Sequence, residues 1–347
     1  MVRRAVLVGC GVMGARWATA LSTSPLRDRV QLVGLVDVDT ALAISVRDAN
    51  GLTDAVVGAD LAEMLKAGNA EIVFDVAVPA VRKAIVIAAF EHGCDVLTEK
   101  PMAASLEDAR DILAAARKAR RQHAVTQNRR FKASIRRIRK FIASGALGDI
   151  SALHCDFFIG AHFGGFRDEM EHVLLLDMAI HTFDAARFMS GKDAVAVYCQ
   201  ETNPKGSWYA HGAAANAIFE LGDHTTFTYR GSWAAEGANT SWEATWRVVG
   251  SKGSLLWDGE DAISASVVDG DEGFFRPLRS VTIPEWTDER VTNEHVSAVE
   301  DFLDALDNGS APESVGTDNI KSLAMVFGAI ESARKRQLVL VDSGSST

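Results

Sequence analysis

An aspartate and a histidine four residues apart are the first candidates for acid–base chemistry in this sequence. Asp177 and His181 belong to the segment 177–184, and a helical conformation there puts both side chains on one face. A carboxylate next to an imidazole suits the removal of a hydroxyl proton, because histidine titrates near neutral pH. The alternative is an ordinary ion pair on a helix face, worth about a few tenths of a kcal/mol.

Two further clusters place basic side chains after predicted strands. Lys100 stands between Glu99 and Pro101, directly after the predicted strand 95–98. Its ammonium group can donate to a substrate hydroxyl and favour the alkoxide, while the proline stiffens the backbone; the alternative is a surface lysine in a loop. In the second cluster, at 128–130, Arg130 can either bind substrate oxygens or pair with a nearby carboxylate.

A glycine-rich loop near the amino terminus supplies the first element that positions such groups. The apolar run 3–8 is followed by Gly9-Cys10-Gly11-Val12-Met13-Gly14 and then by the alanine-rich, helix-like segment 15–21. Strand, G-x-G-x-x-G and helix in this order predict a dinucleotide site. Gly9 permits the tight turn, Gly11 lets the backbone approach a pyrophosphate, and Gly14 lets the helix pack close to the sheet. The phosphates would lie on the N–H groups at the start of the helix, where Val12 and Met13 are.

The acidic residue that completes this fingerprint is Asp37. It lies 23 residues after Gly14, at the end of a second buried-type strand, 31–36. A carboxylate there accepts hydrogen bonds from the adenosine ribose hydroxyls and repels a 2′-phosphate. No Arg or Lys follows until Arg47, so the sequence favours NAD over NADP. The alternative is a tight strand–helix turn that binds no ligand.

Length, charge and cysteine usage narrow the class of protein. The 347 residues suffice for two domains, and 48% hydrophobic with 24% charged residues is ordinary for a globular chain. A net charge of −10 disfavours nucleic acid and anionic membranes as partners. The basic run 129–140 has isoleucines at helical spacing, which indicates a solvated helix face. The four cysteines are scattered and form no C-x-x-C pair. The sequence also has no apolar run near about 20 residues and no leader-like start. These observations predict a protein of the reducing cytoplasm.

Alternation of strands and helices over 1–125 predicts a parallel sheet covered by helices. Ligands collect at the carboxyl ends of such strands, where Asp37, Val78, Lys100 and Asn128 lie. Later strands at 194–200, 212–220, 225–233 and 241–249 predict a mainly antiparallel sheet. The predicted class is α/β: a Rossmann domain (1–125), an α+β domain for substrate binding and oligomerisation (126–340) and a tail (341–347). Helices near 295–307 and 318–336 are expected to pack on the first domain or the sheet. An exposed sheet face predicts a homodimer or homotetramer.

Four motifs in this order resemble the Gfo/Idh/MocA family (glucose-fructose oxidoreductase, inositol dehydrogenase, rhizopine catabolism) over nearly the whole chain. They are the glycine loop, Glu99-Lys100-Pro101, the segment 127–131 and Asp177-x-x-x-His181. The resemblance implies an NAD(P)-dependent dehydrogenase of sugars, cyclitols or related polyols. It implies that Lys100 orients substrate, Asp177 binds it and His181 is the acid/base. It further implies cofactor contacts at Val78, Pro79 and Glu99, to which Asn128 is added as a strand-end residue.

The segment 166–176 departs from that pattern, because many family members have a glycine-rich stretch before the aspartate. A specialised substrate is therefore expected, with Arg130, Arg167 and His172 as its further contacts. A divalent metal bound by carboxylates and imidazoles is the alternative for this region, at His162, Asp168, His172, Asp177 and His181. Hydride transfer to NAD needs no metal, so none is expected.

The sequence thus predicts an NAD-dependent oxidoreductase that moves a hydride between the cofactor and a small polyhydroxylated substrate, with neither nucleic acid nor membrane as partner. Two alternatives stay open. The first keeps the site but recycles the cofactor, in sugar interconversion or glycoside elimination. The second is a nucleotide sensor without catalysis. Net accumulation of NADH separates the predicted reaction from the first alternative.

Overall fold

Short apolar runs that end at glycine, proline or acidic residues produce the strand–helix alternation of the amino-terminal third. The computed structural model describes residues 2–23, 25–287, 294–342 and 344. The strands are β1 (Arg3–Val8), β2 (Val30–Val36), β3 (Val56–Gly58), β4 (Ile72–Asp75), β5 (Asp95–Glu99) and β6 (His123–Thr126). The helices are α1 (Val12–Leu21), α2 (Thr40–Ala49), α3 (Leu61–Gly68), α4 (Pro79–Glu91) and α5 (Leu106–Ala119).

The six strands form one parallel sheet in the order β3-β2-β1-β4-β5-β6. This order reverses between β1 and β4, and ligands of doubly wound sheets bind beside the carboxyl ends of the strands at such a reversal. The glycine loop follows β1, and Val78 and Pro79 follow β4, so these predicted nucleotide contacts lie at this point of the sheet. The predicted Rossmann-type architecture is confirmed.

A large sheet dominates the later part of the chain. Its strands are β7 (Ile150–Phe158), β8 (Ala194–Thr202), β9 (Ala214–Leu221), β10 (Thr225–Ser232), β11 (Thr245–Gly250), β12 (Gly253–Trp257), β13 (Ile263–Val268), β14 (Leu278–Val281) and β15 (Val339–Leu340). They are ordered β14-β13-β12-β11-β7-β10-β9-β8-β15, and the neighbouring pairs are antiparallel except β7–β10. The predicted, mainly antiparallel sheet is confirmed.

The helices of this later part include α6 (Ala133–Ala143) and α7 (Ile180–Ser190), with a π-helical segment at Leu174–Ala179 directly before α7. Phe183 of α7 packs at 4.8 Å on Phe219 of β9 and at 5.2 Å on Tyr229 of β10, measured between ring centroids. Both partners are fully buried. One face of the sheet is therefore a core under α7, and this packing fixes the start of the helix where Asp177 and His181 lie.

Contacts divide the chain into two units, Met1–Asn128 with Asn293–Ile320 and Arg129–Thr292 with Lys321–Thr347. Helix α8 (Glu294–Asn308) belongs to the first unit, where Phe302 and Leu303 are buried in the same core as Trp17. Helix α9 (Gly316–Lys335) contains the second boundary. Of the predicted tail 341–347, positions 343 and 345–347 lie outside the described residues.

Candidate active site

The glycine loop of the first unit has the geometry expected for a pyrophosphate cradle. A Cβ atom on Gly14 would lie 1.9 Å from the Gly9 carbonyl oxygen, so only glycine lets α1 approach the sheet this closely. Gly9 has a φ of +91°, which favours glycine. At Gly11, by contrast, no atom lies within 4 Å of an added Cβ. The space beside Gly11, at the N-terminus of α1, is therefore open, and the N–H groups of such a helix start favour an anion.

Asp37 joins the end of β2 to this loop. Its carboxylate accepts hydrogen bonds from the backbone N–H of Cys10 at 2.7 Å and of Asp39 at 2.9 Å. Asp37 remains half-buried rather than enclosed. The carboxylate is thus held beside the glycine loop, as the proposed ribose contact requires. Val78 is 65% exposed at the N-cap of α4, and Pro79 begins that helix.

Glu99, at the end of β5, is a buried carboxylate that binds the backbone next to it, at Lys100. Its Oε1 accepts from the indole Nε1 of Trp17 at 2.9 Å, and its Oε2 accepts from the backbone N–H of Lys100 at 3.0 Å. His295 of α8 has its Nε2 3.7 Å from the same Oε1. Neither Trp17 nor His295 was predicted. Lys100 itself is half-buried.

Arg82, which was not predicted as a site residue, is buried at the same end of the sheet and makes hydrogen bonds there. The Nε of Arg82 donates to Asp75 Oδ2 at 2.9 Å, and its two terminal nitrogens donate to the carbonyl oxygens of Ala77 and Pro101. Arg82 is 1% exposed and Asp75 is fully buried. Burial raises the pKa of Asp75, while the neighbouring Arg82 opposes that rise. Arg82 thereby connects the loop after β4 with the residue that follows Lys100.

Asn128, the last predicted cofactor contact, lies just after β6. Its side-chain Nδ2 donates to Glu294 Oε2 at 2.8 Å, and both residues belong to the first unit. This amide is therefore oriented by the first residue of α8. No signal in the sequence connects these two distant positions.

In the second unit, Asp177 lies in the π-helical segment and His181 is the second residue of α7. A π turn is closed by hydrogen bonds between residues five apart, so residues four apart remain within one turn. Both residues are half-buried. The predicted helical placement of the pair is confirmed, but the local helix type was not foreseen. Such π segments are frequent at functional sites.

The three predicted additional substrate contacts have different surroundings. Arg167 donates through Nε to Asp177 Oδ2 at 2.8 Å. His172 Nδ1 lies 2.5 Å from Glu201 Oε2, and the hydrogen bond to this carboxylate raises the pKa of His172. Arg130 is 4% exposed and forks onto both carboxylate oxygens of Asp184 at 2.6 and 2.7 Å. Of the two roles expected for Arg130, the structure shows the pairing with a carboxylate, that of Asp184.

Within the described part of the chain, no group of three or more His, Cys, Asp or Glu side chains could hold a metal ion. Three residues of the metal alternative pair with other side chains, since His162 contacts Glu236, His172 contacts Glu201 and Asp177 contacts Arg167. None of the helices among residues 2–23, 25–287, 294–342 and 344 is long and apolar enough to cross a membrane.

Two family models match successive parts of the chain. "Oxidoreductase family, NAD-binding Rossmann fold" matches residues 3–127, and "GFO/IDH/MocA C-terminal domain" matches residues 135–256. Inositol 2-dehydrogenase of Rhizobium meliloti is 27% identical over 97% of this chain and 99% of its own. D-apiose dehydrogenase of Paraburkholderia graminis is 26% identical, over 98% and 90%. A solved oxidoreductase from Agrobacterium radiobacter, in complex with NAD+, L-tartaric acid and magnesium, has a TM-score of 0.84 at 22% identity, covering 99% of each chain.

Proposed function

The chain belongs to the GFO/IDH/MocA family of oxidoreductases, whose Rossmann fold binds NAD, and from this premise we propose that it oxidises a CH–OH group of a sugar, cyclitol or related polyol. The observation that carries the proposal is the open space at Gly11 beside the carboxylate of Asp37, which suits a dinucleotide. Relatives named for inositol and D-apiose, both polyhydroxylated, support the substrate class. We propose NAD rather than NADP, since a carboxylate at position 37 repels a 2′-phosphate.

The three candidate catalytic residues have different proposed roles. We propose that His181 accepts the hydroxyl proton while the carbon-bound hydrogen leaves as a hydride. Lys100 donates a hydrogen bond to the reacting oxygen, and Asp177 accepts one from a substrate hydroxyl. Bound NAD supplies the carbon that takes the hydride, whereas the protein supplies orientation and charge.

Formation of NADH from NAD+ across a panel of cyclitols, aldoses, sugar acids and amino sugars tests this function. With the best substrate, Lys100→Ala is expected to lower kcat/KM by at least about tenfold, because a charge-assisted hydrogen bond to the reacting oxygen is lost. Lys118→Ala, on α5, is the matched control and should leave kcat/KM unchanged. NADH binding, measured separately by fluorescence, should persist in both variants.

Failure of this experiment distinguishes the alternatives. Substrate conversion detected by NMR without net NADH indicates a recycled cofactor, as in sugar interconversion or glycoside elimination. Tight NADH binding without conversion of any compound indicates a sensor. Equal turnover in wild type and Lys100→Ala removes Lys100 from the reaction.

Cofactor preference is tested at Asp37. Asp37→Ala is expected to lower the ratio of NAD to NADP efficiency by at least about tenfold, because a unit charge facing a phosphate at close range contributes several kcal/mol even when partly screened. The ratio of kcat/KM for the two cofactors is the measurement. Asp60→Asn, which replaces the carboxylate that caps α3, is the control. An unchanged ratio in Asp37→Ala contradicts the ribose role.

We also propose a homodimer or homotetramer that operates in the cytoplasm. The sheet of the second unit carries exposed apolar side chains on its strands, among them Ile218, Leu256 and Tyr198. A second copy is the occupant proposed for that surface. All four cysteines are buried free thiols, as expected in a reducing compartment.

A further inference from the structure

Residues 163–166, which lead into the segment that departs from the family pattern, form a clamp around Arg167. Gly164 and Gly165 have φ angles of +68° and +66°, a turn that other residues adopt only with strain. On the two sides of this turn, Phe163 and Phe166 contact the guanidinium, whose Cζ lies 5.0 and 4.8 Å from the ring centroids. Cation–π contacts of this kind favour a flat guanidinium over a lysine ammonium.

The clamp is anchored in the core and ends on the candidate substrate carboxylate. Phe163 packs edge-on at 5.0 Å against Trp233, which is 2% exposed. Arg167 in turn donates through Nε to Asp177 Oδ2 at 2.8 Å, with Asp177 at 17% side-chain exposure. One continuous series of contacts therefore runs within the second unit from the buried Trp233 through Phe163 and Arg167 to Asp177.

We propose that Arg167 is a positioning residue, which fixes the carboxylate of Asp177 in the orientation that receives a substrate hydroxyl. The proposal rests on the proposed function of Asp177 and adds a residue that acts through it. Without the guanidinium, the Asp177 carboxylate loses the hydrogen bond from Arg167 that restrains its orientation. It also loses the positive charge that balances its own negative charge before substrate arrives. The consequence is weaker substrate binding with the cofactor site of the first unit untouched.

Kinetics of Arg167→Ala test the proposal with the substrate found in the panel. KM for that substrate should rise by about tenfold or more, the loss expected for one charge-assisted hydrogen bond, while the Kd for NADH stays within about twofold. Millimolar guanidinium chloride should restore part of the loss, because the vacated space between Phe163 and Phe166 accepts a planar cation. Sodium chloride at equal concentration should not. Arg167→Lys should recover less than added guanidinium does.

Two controls separate this role from a purely structural one. Arg276→Ala removes an exposed arginine paired with Asp271 in the same unit and should behave as wild type, with or without guanidinium. Phe163→Leu keeps Arg167 but loosens the clamp, so its KM should rise by less than in Arg167→Ala. Melting curves verify that each variant is folded at the assay temperature.

The outcomes are distinguishable. An unchanged KM in Arg167→Ala, or a loss that guanidinium does not restore in a folded variant, overturns the positioning role. Asp177→Asn separates that failure from a failure of the proposed function. If Asp177→Asn is impaired and Arg167→Ala is not, only the inference falls; if both are fully active, the proposed role of Asp177 falls as well.

Discussion

Turnover of His181→Ala is expected to fall by about 10²–10⁴-fold relative to wild type, the contribution typical of a positioned general base. The physical reason is that the hydroxyl proton then has no acceptor near neutral pH as the hydride leaves. Binding of NADH should stay near normal, since the predicted nucleotide contacts belong to the first unit and His181 to the second. Steady-state kcat and a separate fluorescence titration with NADH are the two measurements.

A matched histidine variant makes this result interpretable. His211 is an exposed histidine of the same unit, and His211→Ala should retain full turnover. A single-turnover experiment with His181→Ala shows whether the loss lies in the chemical step. Unchanged turnover, or a loss of equal size in His211→Ala, would remove His181 from the role of base.

The features that the sequence predicted correctly are those encoded by local pattern. The order of strand, glycine loop and helix predicted the turn at Gly9 and the close approach at Gly14, since each depends on the absence of a side chain. Helix α3 spans 61–68, where a helical apolar stripe ends at a glycine, so its bounds follow from the local pattern. Ser105 is of a residue type that favours helix N-caps, and its Oγ accepts from the Asp108 N–H at 3.0 Å at the start of α5.

Other features depended on backbone details that periodicity does not encode. The strand predicted at 241–249 begins only at Thr245, because the Ser241 side chain accepts from the Glu243 N–H and Ala244 has a φ of +66°, which forms a turn. The π-helical segment before His181 was not foreseen, since a leucine run does not distinguish hydrogen bonds between residues four apart from bonds between residues five apart.

Buried pairs of charged side chains were the least predictable features around the candidate site. Arg130 meets Asp184 only because α7 folds back beside the segment that follows β6, and either charge alone looks like an ordinary surface residue. Asp75 and Arg82 are seven residues apart across the turn between β4 and α4. Asp75 ends β4, which lies between β1 and β5 in the sheet, and neither composition nor residue spacing predicts that this pair is buried.

That buried pair leads to the largest stability effect expected in this chain. Arg82→Ala should lower the free energy of unfolding by about 3–5 kcal/mol, because it leaves the carboxyl group of Asp75 buried without its cation. Burial already raises the pKa of Asp75, and the arginine is what opposes this rise. Urea unfolding followed by circular dichroism measures the loss.

Two comparisons show whether burial is the cause. Arg47→Ala removes the arginine of an exposed pair with Asp48 in the same unit and should cost less than about 1 kcal/mol. The double variant Arg82→Met with Asp75→Asn removes both charges, so it should recover part of the stability lost in Arg82→Ala, since an uncompensated buried charge is the main cost. Equal losses in Arg82→Ala and Arg47→Ala would show that the pair contributes no more than a surface contact. The double variant also lacks the Arg82 hydrogen bond to the carbonyl oxygen of Pro101, the residue after Lys100. It should therefore recover stability while its turnover stays below that of wild type.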